Sequence, residues 1–190
     1  EGLAEHGADV AISDRPGESL DATASSVRGH GRRVFPFEMD VRDLAQVKRG
    51  VESAASALGR IDVLVNNAGI NRPMAASEVT EENWEDHFRT NVRGGMFAAQ
   101  AAAEHMTAQG GGRIVFVSSQ SGLVGIPGQP VYCATKGAVI QLVRTLGVEW
   151  AKRGITVNAV APTFVETNLT RKRLQNPEFL SLLKAGTPVE

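Results

Sequence analysis

The stretch from Arg113 to Lys136, RIVFVSSQSGLVGIPGQPVYCATK, constrains the fold of this chain more than any other. It starts with a short apolar run, Ile114 to Val117, which predicts a strand that is buried on both faces. Polar residues and a loop rich in glycine and proline follow, and a helical pattern begins near Tyr132. Polar chemistry is therefore expected where this strand ends.

The polar residues of this stretch are suited to acid–base chemistry. Tyr132 and Lys136 are four residues apart, so they share one face of a helix. A neighbouring cation lowers the pKa of a phenol from about 10, which predicts that Tyr132 exchanges a proton near neutral pH. Ser119, at the strand end, is placed to bond a substrate oxygen. By spacing alone, however, Tyr132 and Lys136 would be ordinary surface residues.

Strand and helix patterns alternate along the rest of the chain. This alternation predicts an α/β fold, a three-layer αβα sandwich around a doubly wound parallel sheet of the Rossmann type. Sheets of this kind bind ligands at the carboxyl ends of their strands. A long helical pattern runs from a cap at Thr80 to Gln109, and a second helix is predicted from Pro16 to Gly31.

The chain resembles the short-chain dehydrogenase/reductase family. Ser119, Tyr132 and Lys136, with Tyr132 thirteen positions after Ser119, match the family's catalytic serine, tyrosine and lysine. The run of residues 66–69, NNAG, follows an earlier strand as it does in the family. Asn91 within a helix and residues 158–162 after a later strand extend the likeness over essentially the whole chain.

The resemblance implies an NAD(P)-dependent oxidoreductase that interconverts a secondary alcohol and a carbonyl by hydride transfer. In this assignment Tyr132 is the acid and base, and Lys136 lowers its pKa and holds the nicotinamide ribose. Ser119 binds the reacting oxygen. Asn91 distorts its helix and orders a water that links the lysine to solvent. The alternative is a non-catalytic dinucleotide-binding or assembly protein that keeps the fold. Such a protein would not need all four of the residues that match the family's catalytic residues.

The resemblance also implies the contacts to the cofactor. Asp14 would bond the adenosine ribose and repel the extra phosphate of NADP, which favours NAD. Arg15 beside it could pair with that phosphate, so NADP stays possible. Thr163 stands where the family commonly has glycine. The remaining implied contacts are Asp40, Val41, Asn67, Ala68, Gly69, Tyr132, Lys136, Pro162 and Thr167.

Composition limits the other classes of function. At 190 residues the chain is expected to form a single domain, residues 1–190, and its net charge of −1 gives no reason to expect nucleic acid or a membrane as partner. Cys133 is the only cysteine, which excludes a disulfide within the chain, and the four histidines lack metal-ligand spacing. We expect a cytoplasmic homo-oligomer, a dimer or tetramer, that acts on a small molecule.

A dinucleotide-binding fold needs a glycine-rich turn roughly 20 residues before the ribose-binding acid. Counting back from Asp14 runs past Glu1, where the chain printed here begins. We therefore expect this sequence to lack the first strand and the glycine-rich loop of the fold, and to stop early near Glu190.

Overall fold

The structure is a computed structural model that describes residues 1–166, 170–179 and 181. In this part of the chain, parallel strands alternate with helices, as the sequence predicts. The helices and strands are α1 (Gly2–Glu5), β1 (Val10–Asp14), α2 (Asp21–Gly29), β2 (Val34–Glu38), α3 (Leu44–Leu58), β3 (Val63–Asn66), α4 (Glu81–Phe88), α5 (Gly95–Ala108), β4 (Gly112–Val117), α6 (Pro130–Trp150), β5 (Ile155–Val160) and α7 (Arg171–Leu174).

All strand pairs in the described residues are parallel, which confirms the predicted sheet type. They form two separate ladders, β1–β2 and β3–β4–β5, with no ladder joining them in this part of the chain. Asp14 faces Glu38 at the end of the first ladder, and Val117 faces Val160 at the end of the second. The loops that follow β2 and β3 both contact the segment between α4 and α5, so the two ladders present their carboxyl ends to the same region.

The core lies between the three-stranded ladder and the helices α3, α5 and α6. Helix α5 packs on β3 and β4, and α6 packs on β5. Small alanines of α5 allow close packing against larger side chains of the strands and of α6. The buried members of this cluster include Ala99, Ala102, Met106, Ile114, Phe116, Val139, Leu146, Trp150, Ile155 and Val157.

Strand β4 is buried less completely than its apolar sequence predicts. Ile114 and Phe116 are 0% and 2% exposed, but Val115 and Val117 on the opposite face are only half-buried. Successive side chains of a strand point to opposite faces. The prediction of burial on both faces is therefore wrong for the second face, because an apolar run does not reveal how much of each face other elements cover.

The long helix predicted from Thr80 to Gln109 is interrupted. The Thr80 hydroxyl accepts a hydrogen bond from the Asn83 N–H, so the predicted cap is confirmed. Between α4 and α5, however, residues Arg89–Gly94 form one turn of π-helix. Such turns occur frequently at functional sites. Among the described residues, no helix is both long and apolar enough to cross a membrane.

Helix α2 starts at Asp21 and not at Pro16, because Pro16 and Gly17 form a turn. The N–H of Gly17 donates to the carboxylate of Glu38 on the neighbouring strand, which holds that turn against β2. A proline and a glycine side by side favour a turn over a helix start.

Candidate active site

The side chains of Ser119, Tyr132 and Lys136 come together at the carboxyl end of β4. Tyr132 lies in the first turn of α6, which begins at Pro130, a residue favoured at the first helical position. The Ser119 hydroxyl lies close enough to the Tyr132 phenol to lower the pKa of that phenol by hydrogen bonding, and its Oγ accepts from the Ser121 N–H at 3.1 Å. One turn further along the helix, the Lys136 ammonium donates to the Val117 carbonyl at 2.7 Å. The chain therefore brings a hydroxyl, a phenol and an ammonium to one place.

Strand β4 and helix α6 are tied together at the lysine. The Ser118 hydroxyl donates to the backbone carbonyl of Lys136 at 3.0 Å. A Cβ added at Gly122 would lie 2.7 Å from the same carbonyl oxygen, so only glycine allows this loop to approach the helix so closely. These contacts fix the position of the Lys136 backbone relative to the carboxyl end of β4.

The predicted lowering of the Tyr132 pKa by Lys136 is wrong for this structure. Burial raises the pKa of Tyr132 above 10, and the hydrogen bond with Ser119 lowers it only in part. The Lys136 Nζ lies 5.6 Å from the centroid of the tyrosine ring and points at the Val117 carbonyl. Removal of the phenol from water is therefore the main cause of the shift, and the cation does not offset it.

Lys136 is 4% exposed, and burial lowers its pKa to about 8. A buried ammonium loses the solvation that stabilises its charge. Its charge is therefore sensitive to any change of polarity around it near neutral pH.

Asn91 lies in the π-helical turn, 5% exposed, as an amide that spans two parts of the site. Its Oδ1 accepts from the Ile70 N–H at 2.8 Å, and its Nδ2 donates to the Ile70 carbonyl at 2.9 Å. The Nδ2 also donates to the Thr135 hydroxyl at 3.0 Å, beside Lys136. The distorted helix implied by the resemblance is present, and the Asn91 side chain joins the loop after β3 to α6.

The glycine of the run NNAG sits between Asn91 and Lys136. A Cβ built on Gly69 would lie 3.5 Å from the Asn91 Oδ1 and 3.6 Å from the Lys136 Nζ. Asn67, Ala68 and Gly69 are exposed at the carboxyl end of β3. Small exposed residues at a strand end leave room for a ligand close to the backbone.

The acids at the carboxyl ends of β1 and β2, Asp14 and Asp40, differ in how they are bound. Asp14 is exposed, and its Oδ1 accepts from the Arg15 N–H, whereas the Arg15 guanidinium pairs with Glu18 at 2.9 Å. Asp40 is held by Arg42 through both carboxylate oxygens, and this hydrogen bonding lowers the pKa of Asp40. Asp14 is thus the more accessible of the two for a cofactor hydroxyl.

The remaining predicted contacts lie in two places. Val41 packs against the π-helical turn, where a Cβ on Gly94 would lie 2.6 Å from the Val41 carbonyl oxygen. The Pro162 carbonyl accepts from the Gln120 N–H, so the loop after β5 adjoins the serine loop. Thr163 is exposed there. Thr167 lies outside the described residues.

The structure adds four polar residues that the sequence analysis did not single out, Asn71, Asn83, His87 and Gln129. Asn83, His87 and Gln129 are 6%, 0% and 4% exposed. The spacing of Asn83, His87 and Asn91, each four residues apart, is a signal of one polar stripe on a helix. Nothing in the sequence indicates that the stripe faces inward.

The donors and acceptors at the strand ends fit an NAD(P) cofactor. An exposed carboxylate at Asp14 suits ribose hydroxyls, and exposed small residues after β3 leave room for the backbone to approach a ligand. Lys136 and Tyr132 lie one strand further along, after β4. Residues in these positions can bind one ligand that extends across the carboxyl edge of a parallel sheet.

Comparison with known proteins agrees with this geometry. Residues 1–178 match the family described as short chain dehydrogenase. The chain is 36% identical to gluconate 5-dehydrogenase of Gluconobacter oxydans, over 98% of this chain and 73% of that protein. It is 41% identical to the 3-oxoacyl-[acyl-carrier-protein] reductase of Thermotoga maritima, over 90% of this chain and 69% of that protein. The crystal structure of a gluconate 5-dehydrogenase from Burkholderia cenocepacia, in complex with NADP and tartrate, matches with a TM-score of 0.92 and 36% identity, over 98% of this chain and 73% of that one.

Proposed function

Because the chain belongs to the short-chain dehydrogenase family and is an NAD(P)-dependent oxidoreductase, we propose that it interconverts a secondary alcohol and a carbonyl. The observation that carries this proposal is that the Ser119 hydroxyl lies beside the Tyr132 phenol, with the Lys136 Nζ 5.6 Å from the centroid of the tyrosine ring. Two neighbouring hydroxyls can hold one substrate oxygen, and one of them can exchange its proton.

Tyr132 is the acid and base of the proposed reaction. Since burial raises its pKa, the phenol is protonated at neutral pH and ready to give a proton to a carbonyl oxygen. Ser119 holds that oxygen by a hydrogen bond. In the opposite direction Tyr132 must first lose its proton, so oxidation of the alcohol is favoured at higher pH.

Bound NAD(P) supplies the hydride donor or acceptor. We assign its ribose and nicotinamide contacts to Asp14, Asn67, Ala68, Gly69 and Lys136. The further contacts in this proposal are Asp40, Val41, Tyr132, Pro162 and Thr167. Asp14 favours NAD, because its carboxylate would repel a phosphate and because Arg15 pairs with Glu18.

The role of Asn91 is to hold the loop after β3 against α6. Its three hydrogen bonds join Ile70 to Thr135, the residue that precedes Lys136. We propose that this link keeps Lys136 in reach of the proton path from Tyr132. A water beside Asn91 would complete that path.

Replacement of Tyr132 by phenylalanine tests the proposal. The variant should lose about 10²- to 10⁴-fold in turnover, because it keeps the ring and lacks the proton. Binding of NAD, measured by calorimetry, should persist, because the other assigned cofactor contacts remain. Turnover would be followed by the absorbance of reduced nicotinamide with a panel of secondary alcohols and ketones. Turnover within about tenfold of the wild type would exclude Tyr132 as the acid and base.

We also propose that the enzyme is a homo-oligomer that uses the outer face of α4, α5 and α6. A groove of about 350 Å³ on this face is lined mainly by apolar residues, among them Val92, Met96 and Leu142. Phe97 at its border is 39% exposed. Acidic and basic residues, Glu85, Arg89 and Arg93, also line it, so a second copy related by a two-fold axis could pair charges of opposite sign.

A further inference from the structure

A buried hydroxyl joins the π-helical turn to the tyrosine of the proposed active site. It belongs to Thr135, a fully buried residue of α6. Its Oγ1 accepts from the Asn91 Nδ2 at 3.0 Å and donates to the Tyr132 carbonyl at 2.8 Å. One side chain therefore connects the amide of the π-helical turn with the backbone of the proposed acid and base.

The backbone of Ile70 sets the direction of these hydrogen bonds. The Ile70 N–H donates to the Asn91 Oδ1 at 2.8 Å, and the Ile70 carbonyl accepts from the Nδ2 at 2.9 Å, so the amide cannot be turned over. Its nitrogen therefore faces Thr135, and the hydroxyl must accept from it. A threonine hydroxyl has one proton, which is then left for the Tyr132 carbonyl.

The hydroxyl acts on the helical turn that carries both Tyr132 and Lys136. In an α-helix a carbonyl accepts from the N–H four residues later, which for Tyr132 is the N–H of Lys136. A threonine hydroxyl that bonds a carbonyl of the preceding turn often bends a helix. The tilt of this turn, and with it the position of the phenol, therefore depends on the Thr135 hydroxyl.

The two ends of this turn are held by different elements. Strand β4 holds the lysine end, because the Lys136 ammonium donates to the Val117 carbonyl. The π-helical turn holds the tyrosine end through Thr135. Loss of the hydroxyl would therefore release the Tyr132 end and leave the Lys136 end in place.

Thr135 cannot act on the reaction directly. Its side chain is fully buried, so a substrate does not reach it. Its only hydroxyl proton is donated to a backbone carbonyl, which does not pass a proton on. Any effect of this residue on turnover must therefore come from the position of the groups that it holds.

We propose that Thr135 is a positioning residue, which fixes the Tyr132 phenol relative to the reacting oxygen through its hydrogen bonds to Asn91 and to the Tyr132 carbonyl. This inference rests on the proposed function, in which Tyr132 exchanges a proton with that oxygen. A displacement of about 1 Å at a reacting group can lower a rate by about 10²-fold. A buried hydroxyl that meets no substrate can thus control the chemical step.

The test removes the hydroxyl and the methyl group of Thr135 separately. Thr135→Val lacks the hydroxyl and keeps the branched shape, whereas Thr135→Ser keeps the hydroxyl and lacks the methyl group. In both variants Asn91 retains its hydrogen bonds to Ile70, so the loop after β3 should stay in place. The matched control is Thr145→Val in the same helix, where an exposed hydroxyl donates to the Gln141 carbonyl at 3.2 Å.

The main measurement is the single-turnover rate of alcohol oxidation by bound NAD, with the secondary alcohol that the wild type oxidises fastest. Thr135→Val should lower this rate about 10- to 100-fold, while its affinity for NAD, measured by calorimetry, stays within about threefold of the wild type. Thr135→Ser and Thr145→Val should both keep the rate within about threefold of the wild type.

The solvent deuterium isotope effect on the single-turnover rate tests which step is affected. It should be larger in Thr135→Val than in the wild type, because a misplaced phenol makes proton transfer the slow step. A lower rate without a larger isotope effect would overturn the inference, since proton transfer would then not be the step that Thr135 controls.

The other outcomes separate the inference from the proposed function. A wild-type rate in Thr135→Val would overturn the inference, and so would an equal loss in Thr135→Ser, which would indicate packing of the methyl group. If circular dichroism showed Thr135→Val to be unfolded, the hydroxyl would serve the whole fold and the inference would be wrong. A wild type that oxidises none of the alcohols and reduces none of the matching ketones would refute the proposed function and, with it, the inference.

Discussion

Burial controls the acid–base properties of the two titratable side chains in the site. It raises the pKa of Tyr132 and lowers the pKa of Lys136, so in both residues it shifts the acid–base equilibrium towards the neutral form. Among the causes of the Tyr132 shift, only the hydrogen bond with Ser119 acts in the opposite direction. The serine therefore has two functions in the proposed mechanism, to hold the substrate oxygen and to ease loss of the phenol proton.

Replacement of Ser119 by alanine should shift the pH profile. Without the hydrogen bond that lowers it, the pKa of Tyr132 rises further, so the rise of alcohol oxidation with pH should move to higher pH. The measurement is kcat/KM for oxidation across pH. Ser118→Ala is the control, since Ser118 bonds the Lys136 carbonyl and not the phenol, and it should leave the position of the rise unchanged. If the pH profile of Ser119→Ala coincided with that of the wild type, it would contradict the proposal that Ser119 lowers the pKa of Tyr132.

Lys136 should make stability depend on pH. Its pKa is about 8 in the folded chain against 10.5 in the unfolded chain, so the unfolded state binds more protons between these values. The free energy of unfolding of the wild type, relative to Lys136→Met, should therefore rise from pH 8 to pH 10.5 and level off on either side. Urea denaturation of both proteins across this range measures the difference. A constant difference would mean that the pKa of Lys136 is not lowered.

At the level of secondary structure, the π-helical turn between α4 and α5 organises the site. Asn91 in this turn forms hydrogen bonds with Ile70 and Thr135. Arg93 in the same turn donates from its guanidinium to the Arg42 carbonyl at 2.6 Å. The loops after β2 and β3 are thus both fastened to one turn. A regular α-helix has fewer residues per turn and would not present these side chains at the same angles.

Gly94 should be needed for the contact between this turn and the loop after β2. An alanine Cβ would lie 2.6 Å from the Val41 carbonyl oxygen, a backbone atom that cannot move freely, so Gly94→Ala should destabilise the fold by about 1–3 kcal/mol. The control is Gly147→Ala in α6, whose Cβ would meet the Val157 oxygen at 3.5 Å, an ordinary contact.

The control variant should gain up to about 1 kcal/mol, because alanine favours a helix more than glycine does. Urea denaturation measures both changes. Affinity for NAD should fall in Gly94→Ala alone, since Val41 belongs to the proposed cofactor contacts. Equal stability of the two variants would show that the π-helical turn can move away from the loop after β2 without lowering the free energy of unfolding.

For the whole molecule, the outer face of α4, α5 and α6 is the candidate subunit interface. Phe97→Glu places a charge at the border of the apolar groove, so it should lower the molar mass measured by analytical ultracentrifugation. Ser53→Glu, at an exposed position of α3, introduces the same charge elsewhere and should leave the mass unchanged. A monomeric wild type, or an oligomer that Phe97→Glu does not weaken, would contradict this interface.

The parallel α/β architecture and the position of the site follow from local sequence patterns. The strand near Ile114 and the helix from Pro130 are set by apolar periodicity and by the proline at the helix start. The four-residue spacing of Tyr132 and Lys136 places them on one helix face. The helix interruption and the start of α2 were harder to predict, since a π-helical turn has no distinct periodicity and a proline suits both a turn and a helix start.

The sequence by itself determined the strand, the helix and the ordered motifs through which the chain resembles its family, because spacing along one strand and one helix is a local property, and that resemblance supplied the residues of the proposed chemistry. Only the tertiary structure decided the direction of the Tyr132 pKa shift, since burial depends on side chains from distant segments. It likewise decided that Asn71 meets Gln129, 58 residues away, and that His87 faces the interior. The hydrogen bonds of these groups join separate elements, so no pattern within one element predicts them.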